Sequence, residues 1–502
     1  MNRNKKLLLN TGMGVVQQLV VIICGFILPR VFLKNFGSEI NGLISSMSQF
    51  LGFISLLEMG IGPVIQANLY KPLADKDNDR ISEIVKSAEK FFRRIAYIFL
   101  AYIVVLSILF PTVIANEFDP FFTISLLLII AISTIAQYFF GATYQVLLNS
   151  DQKSYVQMSL QTVAVILNTV ICIVLINAGA SVHIVKLVSA SIFVLRPIGQ
   201  MIYVKKHYSI NRNVVLVGEP IKQKWNGFAQ HISATVASNA SVVILTFFSS
   251  LSNVSIYSVY HLVTNGISGI ILTAASGLEP FFGNIIAQDD KKTLNKSFEM
   301  IEWFVHICVT ILFTIAAIAI IPFVTVYTDG IADINYIHPL FGLLLVLAYM
   351  IQCLRIPYFR IIKAAGHFKQ TQNSYFVMVF INIAVSVGMV FRFELIGVAL
   401  GTLCAMAFHT CYSVWYLRKN ILNRSALSFI KHVFADVLIM LLSFLSTSWI
   451  ELGSISILGF LIYAVKVGVI TVVIAVLVNL LINKRLIFPL IKRLKHGIKT
   501  QK

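Results

Sequence analysis

The chain has 502 residues, 58% of them hydrophobic and only 12% charged, and its mean hydropathy is +0.84. Soluble domains carry about 25% charged residues, so a soluble globular protein is excluded. The apolar runs are solid and near the ~20 residues that cross a bilayer, which excludes an alternating β-barrel as well.

In chain order the runs predict fourteen helical spans, roughly 7–34, 38–70, 92–115, 120–147, 155–178, 182–204, 225–250, 254–287, 298–325, 336–363, 372–391, 394–417, 427–449 and 454–482. The first run is too long for a secretory leader and lacks a small-residue cleavage site, so it is expected to remain as a span. The connecting segments alternate in character. Basic ones hold Arg3 to Lys6, Lys71 to Arg94, Lys153, Lys205 to Lys224, Lys291 to Lys296, Arg360 to Lys369, Arg418 to Lys431 and the tail from Lys484. The others are short and acidic, with Glu117 and Asp119, Asp329 and Asp333, Glu394 and Glu451. The positive-inside rule makes the basic side cytoplasmic and both termini inner, which requires an even span count. The net charge of +19 is thus a topology signal toward anionic lipid, not a nucleic-acid signal.

The chain echoes itself. Asn10 matches Asn226, Ile40 matches Ile256, Pro63 matches Pro280, Tyr144 matches Tyr358 and Asn168 matches Asn382. Lys86-Ser87-Ala88-Glu89 is set against Lys296-Ser297-Phe298-Glu299. The expected architecture is an all-α polytopic membrane protein with two pseudo-symmetric six-helix lobes, 1–210 and 211–424, followed by 425–502 with spans 13 and 14 and a basic tail. A repeat of six spans enters the membrane in the same sense twice, and substrate is expected in a cleft between the halves.

Asp75-Lys76-Asp77-Asn78-Asp79 resembles a metal-holding DxD pattern. Arg80 and Lys86 stand where a calcium loop needs Gly and Glu. The favoured reading is a polar cap before an amphipathic helix with Ile81, Ile84, Val85, Ala88 and Phe92 on its apolar face. The six cysteines lie in apolar runs without metal spacing and read as packers. No catalytic set, Walker A sequence or zinc spacing occurs, so an enzyme, a metal site and a cofactor are not expected. A coupling ion, proton or sodium, is left open.

Polar side chains concentrate in spans 1, 2, 7 and 8. The substrate-cavity candidates are Gln17, Arg30, Asn41, Gln49, Gln230, His231, Asn239, Tyr257, His261 and Asn265. Tyr257, His261, Asn265 and Ser268 recur at helical spacing, and such a face needs protein or water. Glu58 and Glu279 sit beside the repeated prolines near the inner ends of their spans and are gating or ion-coupling candidates. Arg196 and Arg355 lie deeper, each close to a proline. Asp436 and Lys466 are a possible structural ion pair between spans 13 and 14.

Leu9-Asn10-Thr11, Leu57-Glu58-Met59-Gly60-Ile61-Gly62-Pro63 and Gly397-Val398-Ala399-Leu400-Gly401-Thr402, with the six-plus-six-plus-two layout, resemble the Wzx-type polysaccharide flippases. That family belongs to a superfamily that includes lipid II flippases and multidrug and toxin exporters. The resemblance covers nearly the whole chain. It implies a polyprenyl-pyrophosphate-linked oligosaccharide moved from the inner to the outer leaflet of a bacterial plasma membrane by alternating access. It also implies an apolar groove on the last two spans for the lipid tail, with a polysaccharide polymerase and glycosyltransferases as partners. Under that resemblance the cations available to a pyrophosphate are Arg30, Arg196 and Arg355. The alternatives are a cation-coupled multidrug exporter and a membrane glycosyltransferase or polymerase.

Overall fold

A computed structural model describes residues 3–58, 61–114, 117–211, 228–422, 424–425 and 427–484. The described residues are helical throughout, apart from turns and connections. The chain forms two compact units, Met1–Ser255 and Ile256–Lys502.

The first unit contains α1 (Arg3–Gly52), α2 (Ser55–Glu58), α3 (Ile61–Asp75), α4 (Asn78–Val113), α5 (Pro120–Ala136), α6 (Ala142–Ser150), α7 (Ser154–Asn177), α8 (Val182–His207) and α9 (Phe228–Phe248). Helix α10 (Leu251–Ala274) begins in it and continues into the second unit, which holds α11 (Leu278–Ala287), α12 (Lys291–Tyr327), α13 (Pro339–Leu354), α14 (Ile356–Ala364), α15 (Phe368–Leu417), α16 (Leu427–Thr447) and α17 (Ile457–Ile482). Among the described residues, eleven helices are long and apolar enough to cross a membrane. Large apolar side chains such as Ile108 (67% exposed) and Phe380 (71% exposed) stand on their outer faces, where lipid is the only tolerable solvent.

Two helices of 50 residues contain the breaks expected from the sequence. In α1 the break is Gly37, at φ 82°, a left-handed conformation that glycine adopts without a Cβ clash. In α15 it is Glu394, at φ 46°. Beyond that residue the chain turns back. Asn382 Nδ2 donates to Thr402 Oγ1 at 3.4 Å although 20 residues separate them, and a straight helix would hold them ~30 Å apart. The Gly397–Thr402 motif makes this crossing possible. A Cβ on Gly401 would lie 2.0 Å from Ser386 Oγ and one on Gly397 2.6 Å from the Met389 carbonyl carbon. Small residues spaced by four let helix backbones approach where no hydrophobic force drives association.

Asp77 caps α4, its side chain accepting from Arg80 N at 2.9 Å. Ile81, Ile84, Val85, Ala88 and Phe92 are buried, as their periodicity predicts. Asp290 caps α12 in the same way through Thr293 N, also at 2.9 Å. The preceding residues, Lys76 and Asp289, both have positive φ (56° and 51°). Tyr144 donates to Glu89 Oε1 at 2.9 Å in the first unit, and Tyr358 donates to Glu302 in the second. The acceptor for Tyr358 is thus Glu302, one turn from the Glu299 that the sequence sets against Glu89. Pro63 lies in the first turn of α3, where proline's missing N–H has no intrahelical partner to lose.

Asn10 of the Leu9-Asn10-Thr11 motif tethers the α6–α7 turn, donating to Gln152 O at 3.0 Å and accepting from Tyr155 N at 2.8 Å. In the same turn Asp151 is held by Lys6 and Lys153, each at 2.8 Å, and by the Tyr208 hydroxyl at 2.6 Å. Burial works to raise the Asp151 pKa, but hydrogen bonds from Lys153, Lys6 and Tyr208 outweigh it and hold the carboxyl below its ordinary value.

Candidate functional site

Helices α2, α3, α4, α5, α6, α7 and α8 line a cavity of about 610 Å³ within the first unit. That volume falls in the range of small-molecule sites. Most of the residues on its wall are polar. Ser133, Thr134, Gln137, Gln145, Gln157 and Gln161 face it, together with Glu58, Tyr138 and Arg196.

The geometry begins with a π-helical turn at Gln137–Gly141 between α5 and α6. Such wide turns rotate the following side chains relative to a regular helix. Gln137 Nε2 donates to Gln145 Oε1 at 2.9 Å, while Gln137 Oε1 accepts from Arg196 Nη2 at 2.9 Å. Arg196 Nη1 donates to Gln161 Oε1 at 2.6 Å. Gln157 and Gln161 are one turn apart on α7 and so share a face. The guanidinium is thus held by two amide oxygens, and its Nε is buried without a hydrogen-bond partner. Gly141 is required for this approach. A Cβ there would meet Gln137 Oε1 at 2.6 Å and Pro197 Cβ at 2.7 Å.

Glu58 and Tyr138 line the same cavity. Among the described residues no ion pair joins Glu58 to Arg196. The site therefore offers one carboxylate, one cation and a set of amides and hydroxyls, an array suited to an anionic group attached to a polyhydroxylated one.

The other sequence candidates fall elsewhere. Arg355, at the α13–α14 junction, donates to the His409 ring. Arg30 and Gln17 are half-buried on α1 and do not line the cavity. Asn41 Nδ2 donates to Ser255 Oγ at 2.8 Å, and Ser46 and Thr246 share a hydrogen bond of 2.7 Å. Gly42 lies so near the Leu251 carbonyl that a Cβ would stand 1.9 Å from its oxygen. These groups of the polar stretch 41–49 thus join helices; Gln49 is half-buried. Asn239 Nδ2 donates to its own helix at Thr235 O. Tyr257 is buried and stacks on His261, which also meets the edge of Tyr349. Asn265 is exposed. The side chains of Gln230 and His231 lie outside the described residues.

Glu279 pairs with Arg360 at 3.2 Å and is 36% exposed, and it does not line the cavity that Glu58 lines. Asp436 does not pair with Lys466, which is exposed. It meets His306 Nδ1 at 2.6 Å and Thr310 Oγ1 at 2.7 Å instead. Sequence reasoning missed the four glutamines of α5 to α7. The available signal was Gln157 and Gln161 one helical turn apart in an apolar span, with Gln137 and Gln145 in the span before.

No family profile matches the chain, and no curated protein does. Solved structures do. A structure described as the lipid II flippase MurJ in an inward closed conformation superposes with a TM-score of 0.69 at 14% identity, covering 96% of this chain and 100% of its own. An inward-facing multidrug resistance MATE family transporter of the MOP superfamily gives 0.58 at 12% identity, covering 81% and 96%. The Vibrio cholerae MATE transporter VcmN in its bent form gives 0.53 at 12%, covering 87% and 98%. The chain is a multi-pass helical membrane protein with the fold shared by these flippases and transporters.

Proposed function

We propose that the protein is a flippase that carries a polyprenyl-pyrophosphate-linked oligosaccharide from the inner to the outer leaflet of a bacterial plasma membrane. The observation that carries this reading is the cavity built around Arg196. A cation fixed by Gln137 and Gln161 on the cavity wall supplies the positive charge that a phosphate group needs. Gln145, Gln157, Ser133 and Thr134 supply donors and acceptors for sugar hydroxyls. The fold likeness to a lipid II flippase supports a lipid-linked cargo. Transport requires only that cargo stabilise inward- and outward-facing states differently. Polymerase and glycosyltransferase partners follow from this cargo.

Glu58 in the same cavity favours a second reading, a cation-coupled exporter, because a carboxylate there would hold a cationic drug or a coupling ion.

The test uses purified protein in vesicles with a lipid-linked oligosaccharide added on one side. Translocation by the wild type, lost on Arg196→Gln with the protein still folded, is the expected result. A charge-assisted hydrogen bond contributes about 1.5–3 kcal/mol, so the variant should fall about 10- to 150-fold. Undiminished translocation by Arg196→Gln rejects the role of the cavity. Ion-driven drug efflux that needs Glu58, without lipid translocation, establishes the exporter instead.

A further inference from the structure

We propose that the second unit contains a binding site for one proton, built between α12 and α16 from Asp436, His306, His432 and Glu302. Helix α12 carries Glu302, His306 and Thr310 at successive turns of one face, and α16 carries His432 and Asp436 one turn apart. The two ladders meet. His306 Nδ1 lies 2.6 Å from Asp436 Oδ2, and Thr310 Oγ1 donates to Oδ1 of the same carboxylate at 2.7 Å. The rings of His306 and His432 are 5.2 Å apart at their centroids. His432 Nε2 is 4.0 Å from Glu302 Oε2, which accepts from Arg424 Nη1 at 2.5 Å, and Tyr358 donates to the other carboxylate oxygen.

All four titratable members are at most 4% exposed, so their net charge matters. Two carboxylates and one guanidinium leave the group at −1 when both imidazoles are neutral. One added proton brings it to zero. An uncompensated charge in such a place costs several kcal/mol, so the neutral, singly protonated group is the stable one. His306 Nε2 is buried without a hydrogen-bond partner and is the open acceptor for that proton. Binding forms one N–H bond and breaks none in the protein.

The remaining groups facing the site do not alter the count. From α14 it is met by the neutral Tyr358 hydroxyl. Helix α17 contributes Asn479, which accepts from Trp303 Nε1 at 3.1 Å. Arg418 of the turn after α15 lines the same space as Glu302 and Arg424 but is exposed, Glu299, 4.0 Å from Arg424, is 48% exposed, and Lys431 is exposed, so all three are compensated by solvent. Phe429 closes the side, 5.7 Å from both His306 and Tyr358 by ring centroids. A space of about 20 Å³ lies against Glu302, Tyr358, Arg424 and Ser428. It is large enough for one water molecule beside Glu302.

The site makes no use of the oligosaccharide cargo, so its test needs none. The full-length protein with 15N-labelled histidine is placed in lipid bilayers, and solid-state NMR separates imidazolium from neutral imidazole at about pH 6. His306→Gln and His432→Gln assign the two rings. The expected result is one imidazolium shared by the pair, lost in Asp436→Asn and in Glu302→Gln alike, because either change makes the group neutral without the proton. A purely structural hydrogen-bond network would not respond to the distant carboxylate. Should one variant fail to fold, the other removes the same charge. Two neutral rings in the wild type, or an imidazolium surviving in a folded carboxylate variant, would overturn the proposal.

Discussion

The cavity of the first unit and the corresponding positions of the second solve one packing problem in opposite ways. Tyr144 and Tyr358 fix an offset of 214 residues. At that offset Gly141 becomes Arg355, Gln161 becomes Tyr375, and Leu195, the residue before Arg196, becomes His409. In the first unit a glycine leaves room, two glutamines turn inward and Arg196 enters from α8. In the second, Arg355 fills the corresponding position and donates to His409, and Tyr375 packs edge-on against that ring at 4.3 Å. Arg196 bonds the Gln137 side chain, whereas its counterpart Thr410 bonds the Ile351 carbonyl at 3.2 Å. At positions 214 residues apart, the first unit has a polar cavity and the second a packed joint. A few side-chain volumes decide which.

The sharpest test of this contrast compares the two tyrosine–glutamate pairs. Glu302 is 1% exposed and holds Arg424, so Glu302→Ala should cost about 3–5 kcal/mol in denaturant or thermal unfolding. Glu89 is half-buried, and Glu89→Ala should cost only about 1 kcal/mol. Equal losses would show that the copies do not differ in burial as described.

Closing the cavity comes next. Gly141→Ala forces Gln137 or Pro197 to move and should destabilise by about 1–3 kcal/mol. It should also reduce transport, measured in the same vesicles as Arg196→Gln. Retained stability and transport would mean the tight approach at Gly141 is not needed.

The capping aspartates test where the copies agree. Asp77→Ala and Asp290→Ala should each cost about 1 kcal/mol, by the same loss of an N-cap acceptor. A difference well above that between the two melting curves would break the equivalence of α4 and α12.

The smallest effect is a pH dependence confined to the first unit. Because the Asp151 carboxyl is depressed in the folded protein, its stabilisation is complete above the ordinary carboxylate pKa. It disappears as pH falls below about 4 through the folded value. Asp151→Asn should flatten that acid limb of the melting temperature, and an unchanged limb would assign it to other carboxylates.

The sequence by itself determined the class of protein, because hydropathy and run length follow directly from the bilayer's thickness. It also determined the α4 cap and apolar face, since a cap and a 3.6-residue period are local, and it located the breaks near Gly37 and Glu394. The Gly397–Thr402 pattern was visible as a motif, but its use as a close crossing was not. Only the tertiary structure decided which polar faces meet. It joined Asn41 to Ser255, placed Glu58 and Arg196 on one cavity among glutamines the sequence reading had passed over, and gave Asp436 to His306 rather than Lys466. Periodicity tells which residues share a helix face, but every helix here has several neighbours. The π-helical turn at Gln137 and the missing Cβ at Gly141 set which faces converge, and those depend on contacts made across more than fifty residues of chain.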